Sequence, residues 1–339
     1  RSFLAILAAA LPLLAQAAGP VVTTPQVRAE LVAHAPEGLG PGKPMWLGLK
    51  IEHKKDWHTY WKNPGDSGLP TTMEWQLPAG ATAGDIAWPT PQKLPIGPLM
   101  NFGYDGTLLL PVPLALTAAP TGAQLPVKLH AEWLVCKDVC IPESGDFELA
   151  VPAQAAIAGE AALFEATRAA APRSVPGAQA SARVEGGALL LKASGLPAAW
   201  QGKTLAFFPE TGGVIQNAAP VAGQWNGAEW TARVPLDPQR SESPTTLPAV
   251  LTAPGETAGV ALRMAVSGTW PAAGAAAPAA TAPVAEAPPA TSLGLALLLA
   301  LAGGALLNLM PCVFPVLSLK VLGLAAPGSR GRLASGVAY

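Results

Sequence analysis

A mainly β fold is predicted: two tandem antiparallel β-sandwiches followed by a transmembrane α-helix. Three observations carry this expectation. Short runs with period-two alternation recur from Val21 to Val266, and 37 Pro and 35 Gly punctuate the 339 residues. Many short strands so punctuated argue for antiparallel sandwiches. Last, Ser292 to Leu319 is apolar but for Ser292, Asn308 and Ser318, longer than the roughly 20 residues a helix needs to cross a bilayer.

The elements follow in order. Residues 1–18 read as an export signal: Arg1, an apolar run from Phe3 to Leu14, then the small-residue site Ala15-Gln16-Ala17. The missing initiator Met implies that a residue or more precedes Arg1. Export implies an oxidising compartment, where free thiols need a source of electrons. Residues 19–153 form the first sandwich, with strands expected at Met45–Ile51, Thr72–Leu77, Thr107–Leu114, Val127–Val135 and Phe147–Val151. Within it, Trp57-His58-Thr59-Tyr60-Trp61 is an aromatic cluster that either fills the core or lines a site. It runs into a turn signal, Asn63-Pro64-Gly65-Asp66-Ser67-Gly68.

Residues 154–177 change character: Ile157, Ala161 and Phe164 share a face at helical spacing, which predicts a helical linker. Strand-like runs resume at Ala182–Val184, Ala188–Lys192, Leu205–Pro209, Glu229–Val234, Ala249–Leu251 and Val260–Val266. They define a second sandwich over 178–270. It holds no Cys or His, so it reads as a spacer or interaction module. Residues 271–291 are almost wholly Ala, Pro and Thr and make an extended tether. The transmembrane helix is expected over 292–323, with 324–339 as a cytoplasmic loop. Lys320, Arg330 and Arg332 follow the span, so the positive-inside rule places the sandwiches outside.

The net charge of −1, with 13% charged residues, gives no reason to expect nucleic acid or an acidic substrate. Chemistry concentrates instead in Trp133–Pro142, where Cys136 and Cys140 stand three residues apart. On an extended strand they would be about 13 Å apart. A disulfide needs about 4.4–6.8 Å, so pairing requires Lys137-Asp138-Val139 to turn tightly. Before the pair, Val127, Leu129, Ala131, Trp133 and Val135 face one way and Lys128, His130 and Glu132 the other. A second turn signal, Pro142-Glu143-Ser144-Gly145-Asp146, separates the cysteines from the next strand.

Three functions stay open at this point. A redox-active pair fits the short loop, which makes a poor staple but keeps both thiols together on reduction. A structural disulfide is the ordinary fate of exported cysteines. A copper or zinc site would use Cys136, Cys140 and His130, with no fourth ligand evident. Cys312, the third cysteine, lies in Leu309-Met310-Pro311-Cys312-Val313-Phe314-Pro315. Two prolines four apart break a helix ladder in a way membranes tolerate only beside other helices or a cavity. More spans are therefore expected beyond Tyr339, and Cys312 is expected to act rather than merely fill space.

These stretches resemble the DsbD/ScsB family of membrane thiol:disulfide reductases. The segment around Cys312 looks like the first redox-cysteine helix of the family's membrane domain. Trp133 to Glu143 looks like the active site of its immunoglobulin-like periplasmic domain. Asn101-Phe102-Gly103-Tyr104-Asp105-Gly106, ahead of Leu108–Val112, resembles the strand and cap-loop region shielding that site, with Phe102, in a Gly-flanked loop able to move, as the capping aromatic. Trp57-His58-Thr59-Tyr60 resembles the segment lining it. The resemblance implies immunoglobulin-like sandwiches, Cys136, Cys140 and Cys312 as catalytic residues, and Phe102, Tyr104, His58, Tyr60 and Trp133 as shielding or lining residues. It implies an inner-membrane protein with its β parts in the periplasm, acting as a protein-disulfide reductase. Electrons would pass from cytoplasmic thioredoxin through the membrane domain to a thioredoxin-like donor domain, then through Cys136 and Cys140 to periplasmic thioredoxin-fold clients, without organic cofactor or metal. Cytochrome c maturation or copper stress is the implied setting, the short cysteine spacing favouring the ScsB-like branch.

Overall fold

The computed structural model describes residues 19–272 and, beyond them, positions 294, 297, 298, 300 and 301, which are helical. The signal peptide, most of the tether, most of the expected span, Cys312 and the terminal loop lie outside the described residues. Among those described, no helix is long and apolar enough to cross a membrane.

Eleven strands come first: β1 (Val21–Thr23), β2 (Val27–His34), β3 (Trp46–His53), β4 (His58–Gly65), β5 (Thr72–Gln76), β6 (Ala81–Ala83), β7 (Gln92–Ile96), β8 (Leu99–Asp105), β9 (Thr107–Leu116), β10 (Gln124–Cys136) and β11 (Cys140–Pro152). They make two antiparallel sheets, β1-β2-β3-β9-β6 and β11-β10-β4-β8-β7, with β5 also on β10. One core joins the sheets: Leu31, Leu47, Leu49 and Leu110 from the first meet Trp61, Phe102, Leu129, Trp133 and Val135 from the second.

Alternation explains the pattern. Along β10 the odd residues from Leu125 to Val135 are buried, as period-two spacing requires of a strand with one face on the core. Every strand-like run expected in this part lies in a strand to within one residue at its ends, but one turn expectation begins too early and another fails. β4 continues through Asn63-Pro64-Gly65, with its register against β8 shifted between Tyr60 and Gly65. Pro142 to Asp146 lie within β11, which pairs with β10 without interruption from Cys140 to Pro152. Pro142 is tolerated because β11 is an edge strand, where a missing N–H can face away from the ladder.

The expected linker helix is confined to α1 (Ala161–Ala169). Ile157 instead exchanges backbone hydrogen bonds with Ala35 at 2.8 and 2.9 Å, and Gly159 and the left-handed Glu160 separate it from the helix. A nine-residue helix is marginal alone. Phe164, fully buried, holds it onto the first sheet beside Leu109 and Gly48.

Seven further strands follow: β12 (Gln179–Glu185), β13 (Ala188–Ser194), β14 (Ala206–Pro209), β15 (Ala222–Asn226), β16 (Glu229–Pro235), β17 (Thr246–Thr252) and β18 (Val260–Ser267). They form one continuous sheet, β14-β17-β18-β12-β13-β16-β15, instead of two hydrogen-bonded layers. One pairing, β12 with β18, is parallel, which the antiparallel expectation missed. Phe207 at one end of the order and Trp230 near the other share a core, so the sheet closes over itself.

The two parts lie within one compact unit. On β14, Phe207 points into its own sheet's core while Phe208 joins the core of the double-sheet part, as does Val250. Phe208 packs edge-on against Phe102 and Trp61, at 5.1 and 6.3 Å between ring centres. Asn63 Nδ2 donates to the Pro209 carbonyl at 2.7 Å, and Lys62 pairs with Glu210 at 3.1 Å.

Gly103, opposite Tyr60 on β4, leaves no room for a side chain: any Cβ there would collide with the Thr59 carbonyl. Gly103→Ala should therefore cost about 1–3 kcal/mol, the usual range for forced overpacking. Urea denaturation checks this; an unchanged midpoint would mean that the two strands can separate without penalty.

Candidate functional site

Register decides which residues meet. Cys136 closes β10 and Cys140 opens β11, and the two are direct cross-strand partners with Cα atoms 4.2 Å apart. That is close to the roughly 4.5 Å of a non-hydrogen-bonded antiparallel pair, where side chains come nearest. They are joined as a disulfide, and Lys137-Asp138-Val139 makes the turn, with Lys137 N–H donating to the Val139 carbonyl at 3.1 Å. Lys137 is also tied to Asp56 at 3.0 Å.

The pair is asymmetric. Cys136 is fully buried, whereas Cys140 is exposed. On its other side Cys136 pairs with His58 of β4. His58 and Tyr60, two residues apart, project from the face of β4 opposite to Trp61, which is in the core. Their rings meet edge to face at 5.3 Å. The Tyr60 hydroxyl lies 3.6 Å from Cys140 Sγ; a disulfide sulfur has no proton, so the phenol is the donor.

Thus the structure gathers Cys136, Cys140, His58 and Tyr60 on the outward face of the sheet. It sends three other expected residues to the opposite, core face. Trp133 lies in the core and donates from Nε1 to Glu143 Oε2 at 2.9 Å. Tyr104, paired with Thr59, is buried and donates to the Pro89 carbonyl at 2.8 Å. Phe102 is not in a mobile loop: it lies within β8, between β7 and β4, fully buried against Phe208. Alternation on β8 turns Phe102 and Tyr104 inward, leaving Gly103 and Asp105 opposite Tyr60 and His58.

What covers the outward face instead is the chain just after β4. Tyr60 is fully buried although outside the core. The backbone of Gly68, at φ +106, lies flat against its ring, so that a Cβ there would penetrate the ring. Asp66 and Ser67 hold this segment to β8. The Met100 N–H donates to Asp66 Oδ2 at 2.7 Å, and the Ser67 N–H and hydroxyl both donate to Asn101 Oδ1 at 3.1 Å. Sequence reasoning marks Asn63–Gly68 only as a turn; its Gly and Ser are the available signal for a close-fitting cover.

Burial sets the electrostatics. It pushes the Tyr60 phenol above its usual range, an effect the Ser67 hydroxyl opposes, so Tyr60 stays protonated at neutral pH. It pushes His58 down, with the Asp105 carboxylate opposing, and His58 Nε2 has no hydrogen-bond partner. His53 is also pushed down by burial; its Nδ1 donates to the Gly106 carbonyl at 2.8 Å, and Nε2 accepts from Thr59 at 3.0 Å.

The residues of a three-ligand metal site are not brought together. His130 is six residues from Cys136 along a continuous strand, about 20 Å at the rise of a β-strand, and its Nδ1 is 2.7 Å from Asp146. Among the described residues no cluster of His, Cys, Asp or Glu could hold a metal ion. A disulfide that is half exposed and half buried, with a donor at the exposed sulfur, is suited to exchange with an incoming thiolate.

Residues 28–152 match the family described as the N-terminal part of the thiol:disulfide interchange protein DsbD. In space, the chain is similar to the crystal structure of the N-terminal periplasmic domain of ScsB from Proteus mirabilis. The match has a TM-score of 0.55 at 16% identity and covers 73% of this chain and 96% of that one, which establishes a shared fold. No curated protein sequence matches the chain.

The depressed histidines generate a pH dependence. Their folded pKa values lie below the roughly 6.5 of the unfolded chain, so the unfolded state binds more protons as pH falls through that value. The contribution of these two histidines should be full above about pH 7 and fall as pH drops below about 6.5, whereas His130, raised by its hydrogen bond to Asp146, acts in the opposite direction. His58→Gln should reduce the slope of unfolding midpoint against pH between 7.5 and 5.5. An equal slope in the variant would show that His58 is free to protonate in the folded chain.

Proposed function

We propose that the chain, whose residues 28–152 match the N-terminal part of the thiol:disulfide interchange protein DsbD, is a periplasmic reductase relay of the DsbD/ScsB family. Cys136 and Cys140 accept electrons from a thioredoxin-like donor and pass them to client disulfides. The observation that carries this reading is the exposed Cys140 beside the buried Cys136, closing a three-residue turn within the matched stretch.

The exchange balances as two displacements in each direction. A donor thiolate attacks Cys140 Sγ; the Cys136–Cys140 bond breaks, Cys136 leaves as the thiolate, and a donor–Cys140 mixed disulfide forms. The donor's second thiolate attacks its own sulfur in that bond, releasing the Cys140 thiolate and leaving the donor oxidised by two electrons. In the forward half, the Cys140 thiolate attacks a client disulfide. Cys136 then attacks Cys140, restoring the internal disulfide and freeing the client as a dithiol. Donation from Tyr60 to Cys140 Sγ stabilises this sulfur whenever it carries negative charge, as attacker or as leaving group.

Partner contact is supported by the surface. Leu69 and Val139 are 65% and 61% exposed, the most exposed large apolar side chains among the described residues of the two β parts. Val139 adjoins Cys140, and Leu69 shares a groove with Pro142. An exposed Val139 next to Cys140 and a groove that Leu69 shares with Pro142 suit a protein client more than a small thiol.

The same reading extends to the finer organisation. The β parts are immunoglobulin-like and periplasmic, tethered to an inner-membrane helix containing Cys312. Donor electrons come ultimately from cytoplasmic thioredoxin, and the clients serve copper-stress defence or cytochrome c maturation.

Reduction should leave the fold standing. Closing so short a loop is worth about 2 kcal/mol or less, so Cys136→Ser and Cys140→Ser should each lose no more than that in urea denaturation. With a single-cysteine thioredoxin-like donor activated as its mixed disulfide with thionitrobenzoate, the Cys140 thiolate of Cys136→Ser should displace thionitrobenzoate and accumulate a donor–Cys140 disulfide, while Cys140→Ser, left with the buried Cys136, should trap almost none. Equal trapping at both positions would remove the assigned order. A loss of several kcal/mol would make the bond a staple.

A further inference from the structure

The seven-stranded sheet carries no cysteine or histidine, yet one side chain of this second β part reaches the cover of the redox pair. Asn217 is buried and donates from Nδ2 to Asp66 Oδ1 at 2.8 Å. Asp66 is thereby held at both oxygens, by Asn217 on one side and by the Met100 N–H on the other. The next residues are Ser67, bonded to Asn101, and Gly68, whose backbone lies on the Tyr60 ring. Tyr60 in turn reaches Cys140. Beside this chain of contacts, Asn63 and the Pro209 carbonyl form a second, buried hydrogen bond between the two β parts. A short segment that must lie flat on a ring is thus fixed at its start from the neighbouring part.

We propose that Asn217 is a positioning residue for the redox site, holding the Asp66–Gly68 segment so that Tyr60 stays directed at Cys140. The inference rests on the relay reading for its biological meaning, though not for its geometry. Loosening the segment frees the phenol to turn away, and the Cys140 thiolate loses its donor. The other ionisable groups near the pair are His58 on β4, Asp105 opposite it on β8, Lys137 with its partner Asp56, and Asp138 in the turn. None of these is bonded to Asn217, so a change made there reaches the sulfur through the cover alone.

The test uses the full-length chain carrying Cys136→Ser, with iodoacetamide alkylation of the Cys140 peptide followed by mass spectrometry across pH. Adding Asn217→Ala should move the alkylation profile to higher pH and slow reaction at neutral pH about threefold, as expected when a thiolate loses stabilisation. Exchanging the partners, Asp66→Asn with Asn217→Asp, should restore the original profile. The amide then at position 66 can still accept from the Met100 N–H, and it can donate to the carboxylate at position 217. In a Tyr60→Phe background, Asn217→Ala should have no further effect. An unchanged profile in Asn217→Ala, or a shift that persists without the Tyr60 hydroxyl, overturns the proposal. The swapped pair guards against misfolding, because a merely destabilising Asn217→Ala would not be rescued in its pH profile. Alkylation needs no protein partner, so a chain that shows the coupled shift yet exchanges with no donor would remove the relay and keep the positioning role.

Discussion

The site depends on the ladder between β10 and β11, which runs unbroken from Gln124 opposite Pro152 to Cys136 opposite Cys140. Because side chains alternate, a slip of one residue would exchange the faces. Val135 would leave the core and Cys136 would enter it. The buried row from Leu125 to Val135 fixes the register along the whole strand, and the cysteine pair receives its position from that row. The disulfide is therefore a consequence of the hairpin and not its cause. This is the arrangement a reversible bond needs: opening it leaves the ladder and its apolar face in place.

The same alternation sorts the aromatic residues, and it does so in a way that sequence resemblance does not foresee. Resemblance groups Phe102 and Tyr104 with the cysteines as part of a shielding region, and Trp133 as part of the active-site stretch. In space they stand on the other side of a single sheet. A shield that lies through the sheet cannot act on the sulfur directly. The covering role passes to Asp66, Ser67 and Gly68, small and polar residues that carry no pattern of their own. Alternation within β10 already sets Trp133 apart from Cys136, but only the pairing partners tell which face of β8 lies with the cysteines.

Other features were legible for identifiable reasons. Period-two runs announced the strands, since alternation survives whatever the tertiary context. The tight turn at Lys137-Asp138-Val139 followed from chain geometry once the cysteines were taken to pair. Turn residues misled where an edge strand accepts a proline, as at Pro142, and where Asn63 exchanges a local turn for a bond to Pro209. Helical spacing from Ile157 to Phe164 misled because Gly159 interrupts it and the Ala35 backbone captures Ile157. In each case a contact distant in sequence outweighed a local preference.

The absence of Cys and His from the second β part suggests a spacer, and its packing argues otherwise. A spacer would touch its neighbour through a polar surface of the kind that lets two bodies move. Here Phe208 and Val250 enter the neighbour's core, and burying side chains of that size is worth about 1.5–3 kcal/mol each. Added to the buried hydrogen bond from Asn63, this makes separation of the two parts costly. The contact also falls on the strand that carries His58 and Tyr60: Trp61, Lys62 and Asn63 all meet the β14 edge and the residues just after it. Any force on that edge is felt one or two residues from the redox pair's neighbours. The second sheet is better understood as part of the wall of the site, built from residues whose chemistry is ordinary and whose position is not.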